Sequence, residues 1–327
     1  MNAPLLVTGL PRTGTSWVGK MLEASGELVY VNEPLNPQHP PGHSPGVLNA
    51  RVGHRWQYIC DDNAEDWLPA FRDTIGLRYR FGAELRRNRG VYDLARLGKY
   101  GTAFTLGRLR RRRALLDDPF ALLSTRWLVE RLGCRAVVLV RDPVALVGSW
   151  QKLGWRVHFH ELLEQPLLVR DLLSDALVAE LRELIGSPDH VTLVATLWRL
   201  AYSIVDSYFK DLPGVRVQRY EDLATDPERG FARLYAHCGL TWSARAEATV
   251  RAATRGGGEQ AGSHRWSLRY GLSKTAFRPM DSKAALGSYR QRLTEHEIAQ
   301  VRIRTAATAA RFYPDGVPSE ALTAGPG

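Results

Sequence analysis

The sequence predicts an α/β fold in which a central parallel β-sheet is flanked by helices, and three observations carry that prediction. Short runs rich in Val and Leu, bounded by turn residues, recur along the chain as strands buried on both faces do. Between them apolar residues repeat at helical spacing. The alternation of the two calls for right-handed crossovers between parallel strands.

The first run is "PLLVTGL" at 4–10, followed by a helix expected over 14–25 and a shorter strand, "ELVYVNEP", at 27–34. A helix over 118–132 precedes the strand "RAVVLVRD" at 135–142; helices over 143–153 and 190–210 lead to the strand "GVRVQRYEDL" at 214–223. Helices over 227–238 and 294–310 complete the pattern. Two stretches break it. "NPQHPPGHSPGVLN" at 36–49 is dense in Pro, Gly and His and reads as a lid. The irregular stretch at 255–279, with a glycine hinge and several basic residues, reads as a second site-lining loop, because ligands sit at the carboxyl ends of parallel strands.

At 327 residues, 44% of them hydrophobic, the chain has enough material for one large domain spanning 1–327. The start lacks a basic leader and no apolar stretch approaches the roughly 18 residues of a membrane span, so a soluble, cytoplasmic protein is expected. Cys60, Cys134 and Cys238 form an odd set without metal-ligand spacing, which indicates neither a disulfide framework nor a zinc site. The net charge of +10 favours an anionic partner. The densest basic run, "GRLRRRRALL" at 107–116, reads as a solvated face or linker, and without interleaved aromatic residues it does not suggest specific nucleic-acid binding.

Gly9 and Gly14 have the spacing of G-x-x-x-x-G-K-[ST], but Thr15 stands at the lysine position, followed by Ser16. A strand ending at Gly9, a turn through "PRTG" and a helix opening near Thr15 would gather backbone N–H groups and the positive end of a helix dipole around one point. Thr13, Thr15 and Ser16 add hydroxyls, and Arg12 adds a planar cationic fork suited to tetrahedral oxyanions. Further on, "VVLVRDPVALVGSW" puts Arg141 at a strand end and Ser149 eight residues later in a helix, where both can converge on one phosphate.

The string "PRTGTSW", with Trp17 closing it, resembles the 5′-phosphosulfate loop of sulfotransferases that use 3′-phosphoadenosine 5′-phosphosulfate (PAPS), and the Arg141/Ser149 pair resembles their 3′-phosphate clamp. The pattern is nearest the tyrosylprotein and carbohydrate branches, in a bacterial form. The resemblance implies a P-loop-like fold. It further implies Tyr220 near the nucleotide and a PAPS-covering segment at about 255–293 that carries Ser273 and Lys283, the latter replaceable by Lys274 or Arg278. Lys152 matches a further basic residue of that branch only loosely. Insertions at about 36–113 would lie on the acceptor side, and 51–113 matches nothing in the family pattern.

Sulfuryl transfer by direct in-line displacement needs an attacking hydroxyl, an aligned sulfur and stabilisation of the leaving phosphate, with no metal required. Arg12 is expected to stabilise the developing charge. Glu33, in "YVNEPLNP", stands where the family places a catalytic glutamate, with His39, His43 and His54 as other candidate bases. Trp17, Trp150 and Trp198 read as core or wall residues, Trp198 also as a neighbour of adenine. Trp56, Tyr58, Trp67, Phe71, Tyr79 and Phe81 have the spacing of a helix core and could also stack on an acceptor. The expected acceptor is a hydroxyl of a carbohydrate, glycolipid or small molecule, and the oligomeric state is left open, a homodimer included. Two alternatives remain: a P-loop kinase with Asp142 holding magnesium, and a non-enzymatic basic binder of nucleic acid or membrane.

Overall fold

In the computed structural model, residues 3–38, 44–87, 90–254 and 292–316 are described. Strands β1 (Leu5–Gly9), β2 (Leu28–Asn32), β3 (Arg113–Asp117), β4 (Arg135–Val140) and β5 (Val215–Arg219) form one parallel sheet in the order β2-β3-β1-β4-β5. Side chains alternate across it. Leu5 and Val7 face one layer, with Trp17, Val18, Leu22 and Phe231, while Leu6 faces the other, with Phe71, Phe104 and Trp127. A third cluster around Val138, Val140, Trp198 and Tyr202 fills the far side of β4.

The helices that hold this sheet are α1 (Thr15–Glu23), α2 (Ala64–Ile75), α3 (Phe81–Arg87), α4 (Val91–Leu109), α5 (Thr125–Leu132), α6 (Pro143–Leu153), α7 (Phe159–Leu163), α8 (Pro166–Leu172), α9 (Asp175–Leu184), α10 (His190–Ile204), α11 (Tyr220–Thr225), α12 (Pro227–Cys238), α13 (Ala244–Thr254) and α14 (Glu295–Phe312). The expected parallel α/β sheet is present. α6 and α12 match their expected spans, both opened by Asp-Pro, whose carboxylate caps the first turn while proline suits the first helical position.

Three expectations are corrected. The basic run at 107–116 is the end of α4 followed by β3, not a linker; Arg108, Arg110 and Arg111 form the expected solvated face, whereas the run from Arg113 is buried. Arg113 opens that strand with its guanidinium turned onto the carbonyls of Ala3, Cys238 and Gly239, so a charged residue begins a buried strand. The strand expected to reach 223 ends at Arg219, and Tyr220 opens α11. The helix expected over 118–132 begins as a short tight turn, Pro119–Ser124, capped by Asp118, before α5.

β1 ends at a glycine for a steric reason. Gly9 has φ +149°, and a Cβ there would lie 2.5 Å from the Leu139 carbonyl oxygen and 2.6 Å from Thr13 Oγ1. Gly9→Ala is therefore expected to destabilise the fold by about 2 kcal/mol or more. A thermal melt matching that of the parent protein would contradict this reading.

Candidate functional site

The turn after β1 folds back on itself. Thr13 donates both its N–H, at 3.1 Å, and its hydroxyl, at 2.7 Å, to the Leu10 carbonyl. Gly14, at φ +100°, is the residue before α1, and no side chain caps that helix. The first-turn N–H groups of α1 therefore point outward without intrahelical acceptors, which makes an anion cradle. Glycine is needed at position 14, since a Cβ would meet the Tyr220 ring at 2.8 Å. The three hydroxyls do not act alike. Thr13 is turned inward, Thr15 is buried and hydrogen-bonded to Asp117, and only Ser16 is half-exposed at the helix start.

Arg12 occupies the left-handed region at φ 79°. From there its Nε reaches Ser149 Oγ in α6 at 3.3 Å, which joins the loop to a residue 137 positions away. Arg141, just after β4, completes the junction by donating from Nη1 to the Arg12 carbonyl at 2.9 Å. Its guanidinium stacks 4.5 Å from the centre of the Tyr220 ring. Arg141 Nε is buried without a hydrogen-bond partner among the described residues. Such an atom, on a guanidinium joined through the Arg12 backbone to a second guanidinium that reaches a hydroxyl, suits a tetrahedral anion.

Tryptophans clip the junction from below: Trp150 donates to the Pro11 carbonyl at 2.9 Å and Trp198 to the Arg141 carbonyl at 2.8 Å. Trp198 is fully buried in this role, which corrects its reading as an adenine neighbour. Trp17, expected among the nucleotide-side residues, is also buried, with its ring edge-on to Tyr220 at 5.5 Å, so it acts by supporting that ring.

The charge balance is lopsided. Burial lowers the Arg12 pKa below the usual guanidinium range, and Arg141 and Arg292 lower it further; burial and Arg141 do the same to Arg292. Guanidinium groups stay protonated regardless. Their mutual repulsion is therefore relieved by an arriving anion. The nearby carboxyl of Glu221 accepts from the Asp142 N–H and the Tyr313 hydroxyl, both at 2.9 Å. Burial, reinforced by Asp142, pushes Glu221 up to about 7. A folded state that binds this proton more tightly than the unfolded chain loses stability as pH rises from about 4 to about 7. Glu221→Gln is expected to flatten that fall in melting temperature; an unchanged slope would assign it elsewhere.

Glu33 follows β2 at φ 45°, with its N–H bonded to the Asp117 carbonyl at 2.8 Å. Its carboxylate accepts from Asn36 Nδ2 at 2.6 Å. Asp118 shapes this turn by accepting from the N–H groups of Leu35 and Phe120 at 2.6 and 2.9 Å. Beyond Asn36 a cavity of about 400 Å³ opens, with Pro37, Leu48, Arg51 and Arg87 among its walls. Glu33 and the Arg12/Ser149 junction thus follow β2 and β1, at the same end of a parallel sheet.

A sequence profile described as "Sulfotransferase family" matches residues 4–244. The chain belongs to the sulfotransferase family. Among solved structures it is similar to the sulfotransferase domain from the curacin biosynthetic pathway, at 10% identity and TM-score 0.48, covering 94% of this chain and 98% of that one. It is also similar to mouse sulfotransferase SULT7A1 complexed with PAP, at 13% identity and TM-score 0.41, covering 94% and 84%. For sulfotransferase STF9 from Mycobacterium avium the values are 15% and 0.40, covering 96% and 77%. A search of curated protein sequences gives no match.

The remaining expected residues of this sulfotransferase are scattered. His54 pairs with Glu164 at 3.5 Å, against α7 and α8. His39, His43, Ser273, Lys274, Arg278 and Lys283 lie outside the described residues. Lys152 is exposed in the last turn of α6. Asp142, the magnesium ligand of the kinase reading, instead caps α6 by accepting from the Val144 and Ala145 N–H groups. Trp56, Trp67, Phe71 and Tyr79 are buried core, and only Phe81 is exposed. Among the described residues His158, His160 and Glu161 could gather around a cation, but Glu161 already accepts from the Arg55 N–H at 2.7 Å. No helix among the described residues is long and apolar enough to cross a membrane. Sequence reasoning missed Arg292, Asp117 and Asp118.

Proposed function

We propose that this sulfotransferase moves the sulfuryl group of PAPS to a hydroxyl of a carbohydrate, glycolipid or small-molecule acceptor by direct in-line displacement, leaving a sulfate ester and adenosine 3′,5′-bisphosphate. The observation that carries this reading is the meeting of Arg12, Ser149 and Arg141 over a cradle whose lysine is replaced by Thr15. A cradle joined to a guanidinium–hydroxyl cluster suits one ligand with phosphate groups on the 5′ and 3′ oxygens of the same ribose.

In this reading the cradle N–H groups and Ser16 hold the 5′-phosphosulfate, and Arg141 with Ser149 holds the 3′-phosphate beside Tyr220. Arg12, rooted in the cradle, stabilises charge as the sulfur–oxygen bond to the leaving phosphate breaks. Glu33, oriented by Asn36, takes the proton of the attacking hydroxyl. Ser273 and Lys283 are assigned to the covering segment, and 1–327 is read as a single domain with acceptor-side insertions at about 36–113. Calorimetry with adenosine 3′,5′-bisphosphate and a mass-shift screen of acceptors with PAPS test the proposal. Binding of the bisphosphate and a sulfated product in excess EDTA are expected. Turnover that requires added magnesium, or no heat on mixing with the bisphosphate, would overturn it.

A further inference from the structure

The helix pair α3–α4 presents a surface that neither the sheet nor the site uses. Nine large hydrophobic residues are exposed among the described residues, and six of them, Phe81, Leu85, Val91, Leu94, Leu106 and Leu109, lie on these two helices. At the helical repeat, Val91 and Leu109 fall on one line along α4, flanked by Leu94 and Leu106 on either side. The positions between them on that face are Ala95, Gly98, Thr102 and Thr105, all exposed and none charged. The opposite face is committed: Phe104 is fully buried, and Gly107 lies so close to Val29 that a Cβ would come within 2.2 Å of it. An uncharged, outward-facing stripe therefore runs the length of a 19-residue helix.

The charge around the stripe is of one sign. Exposed cations border it at Arg86, Lys99, Arg108, Arg110 and Arg111. Carboxylates in this region are withdrawn: Glu84 is fully buried on Arg96 at 2.7 Å, and Asp93 pairs with the same arginine at 3.1 Å. We propose that the α3–α4 face docks on a bilayer surface containing anionic lipid, with the apolar stripe entering the interface and the arginines at the α4 end meeting the headgroups. A second copy of the chain fits less well, because it would bring two cationic faces together. Nucleic acid fits less well because an aliphatic stripe gains nothing from phosphates. The docking does not depend on which group the site transfers.

The test is flotation of the full chain with phosphatidylcholine vesicles prepared with and without phosphatidylglycerol. Association with the anionic vesicles alone is expected, weakening as salt rises. Arg110→Ala and Arg111→Ala should each lower partitioning about fivefold. Leu106→Gln combined with Leu109→Gln should abolish it while the melting temperature and adenosine 3′,5′-bisphosphate binding stay as in the parent. Equal association with both vesicle types, no association, or retention by the double leucine variant would overturn the proposal. A dimer in sedimentation equilibrium that Leu109→Glu splits would overturn it in favour of a second copy. Duplex DNA binding unaffected by the leucine changes, without vesicle binding, would overturn it in favour of nucleic acid.

Discussion

Glu33→Gln is expected to cut kcat by roughly 10²- to 10⁴-fold while leaving the affinity for adenosine 3′,5′-bisphosphate unchanged. The amide preserves the length of the side chain and an oxygen for Asn36, so the turn keeps its shape. What it loses is the ability to accept a proton, the role proposed for Glu33 toward the attacking hydroxyl. The backbone is held independently of that change, through the Glu33 N–H on the Asp117 carbonyl at 2.8 Å and the Asp118 bond to Leu35 at 2.6 Å. Steady-state kinetics with an acceptor found by the mass-shift screen, alongside calorimetry, separates the two effects. Full turnover in the variant would move the base to a lid histidine.

Arg12→Ala is expected to lower kcat by roughly 10²- to 10³-fold, the scale of removing one preorganised donor from a developing anion. Because Arg12 Nε lies 3.3 Å from Ser149 Oγ, the same change should also weaken bisphosphate binding. Ser149→Ala should reduce that affinity by about tenfold or more, with kcat at saturating PAPS largely kept. In the double variant the losses in affinity should sum to less than the two single losses, as residues sharing one ligand and one contact do. Strict additivity would mean that the contact has no part in binding.

The anion cradle was legible because its chemistry is local. "PRTGTSW" places a turn, a helix start and a guanidinium within seven residues, and "RDPVALVGSW" places a strand end and a helix hydroxyl at a fixed spacing. The place of Glu33 just after a strand was legible from the run that precedes it. β3 was not, because its opening residue, Arg113, is a buried cation satisfied by carbonyls from Ala3, Cys238 and Gly239, far away in the chain. Without the strand, Asp117 and Asp118 had no visible place beside Glu33. Arg292 was hidden for a similar reason: it reaches the other arginines from just before α14, and only folding brings it there. The helices between 51 and 113 share their apolar residues between a buried face and the exposed stripe of α4, which blurs the periodicity that would reveal them.

β1 pairs with β3 on one side and β4 on the other, so the strand that ends in the cradle has no free edge. In hydrogen–deuterium exchange its amides should open only with the whole molecule, whereas those around Glu33, beside the sheet-edge strand β2, can exchange through local opening. Under the proposed function, the half of the site assigned to the donor is thereby built to stay still, and the half assigned to successive acceptors can rearrange without disturbing it.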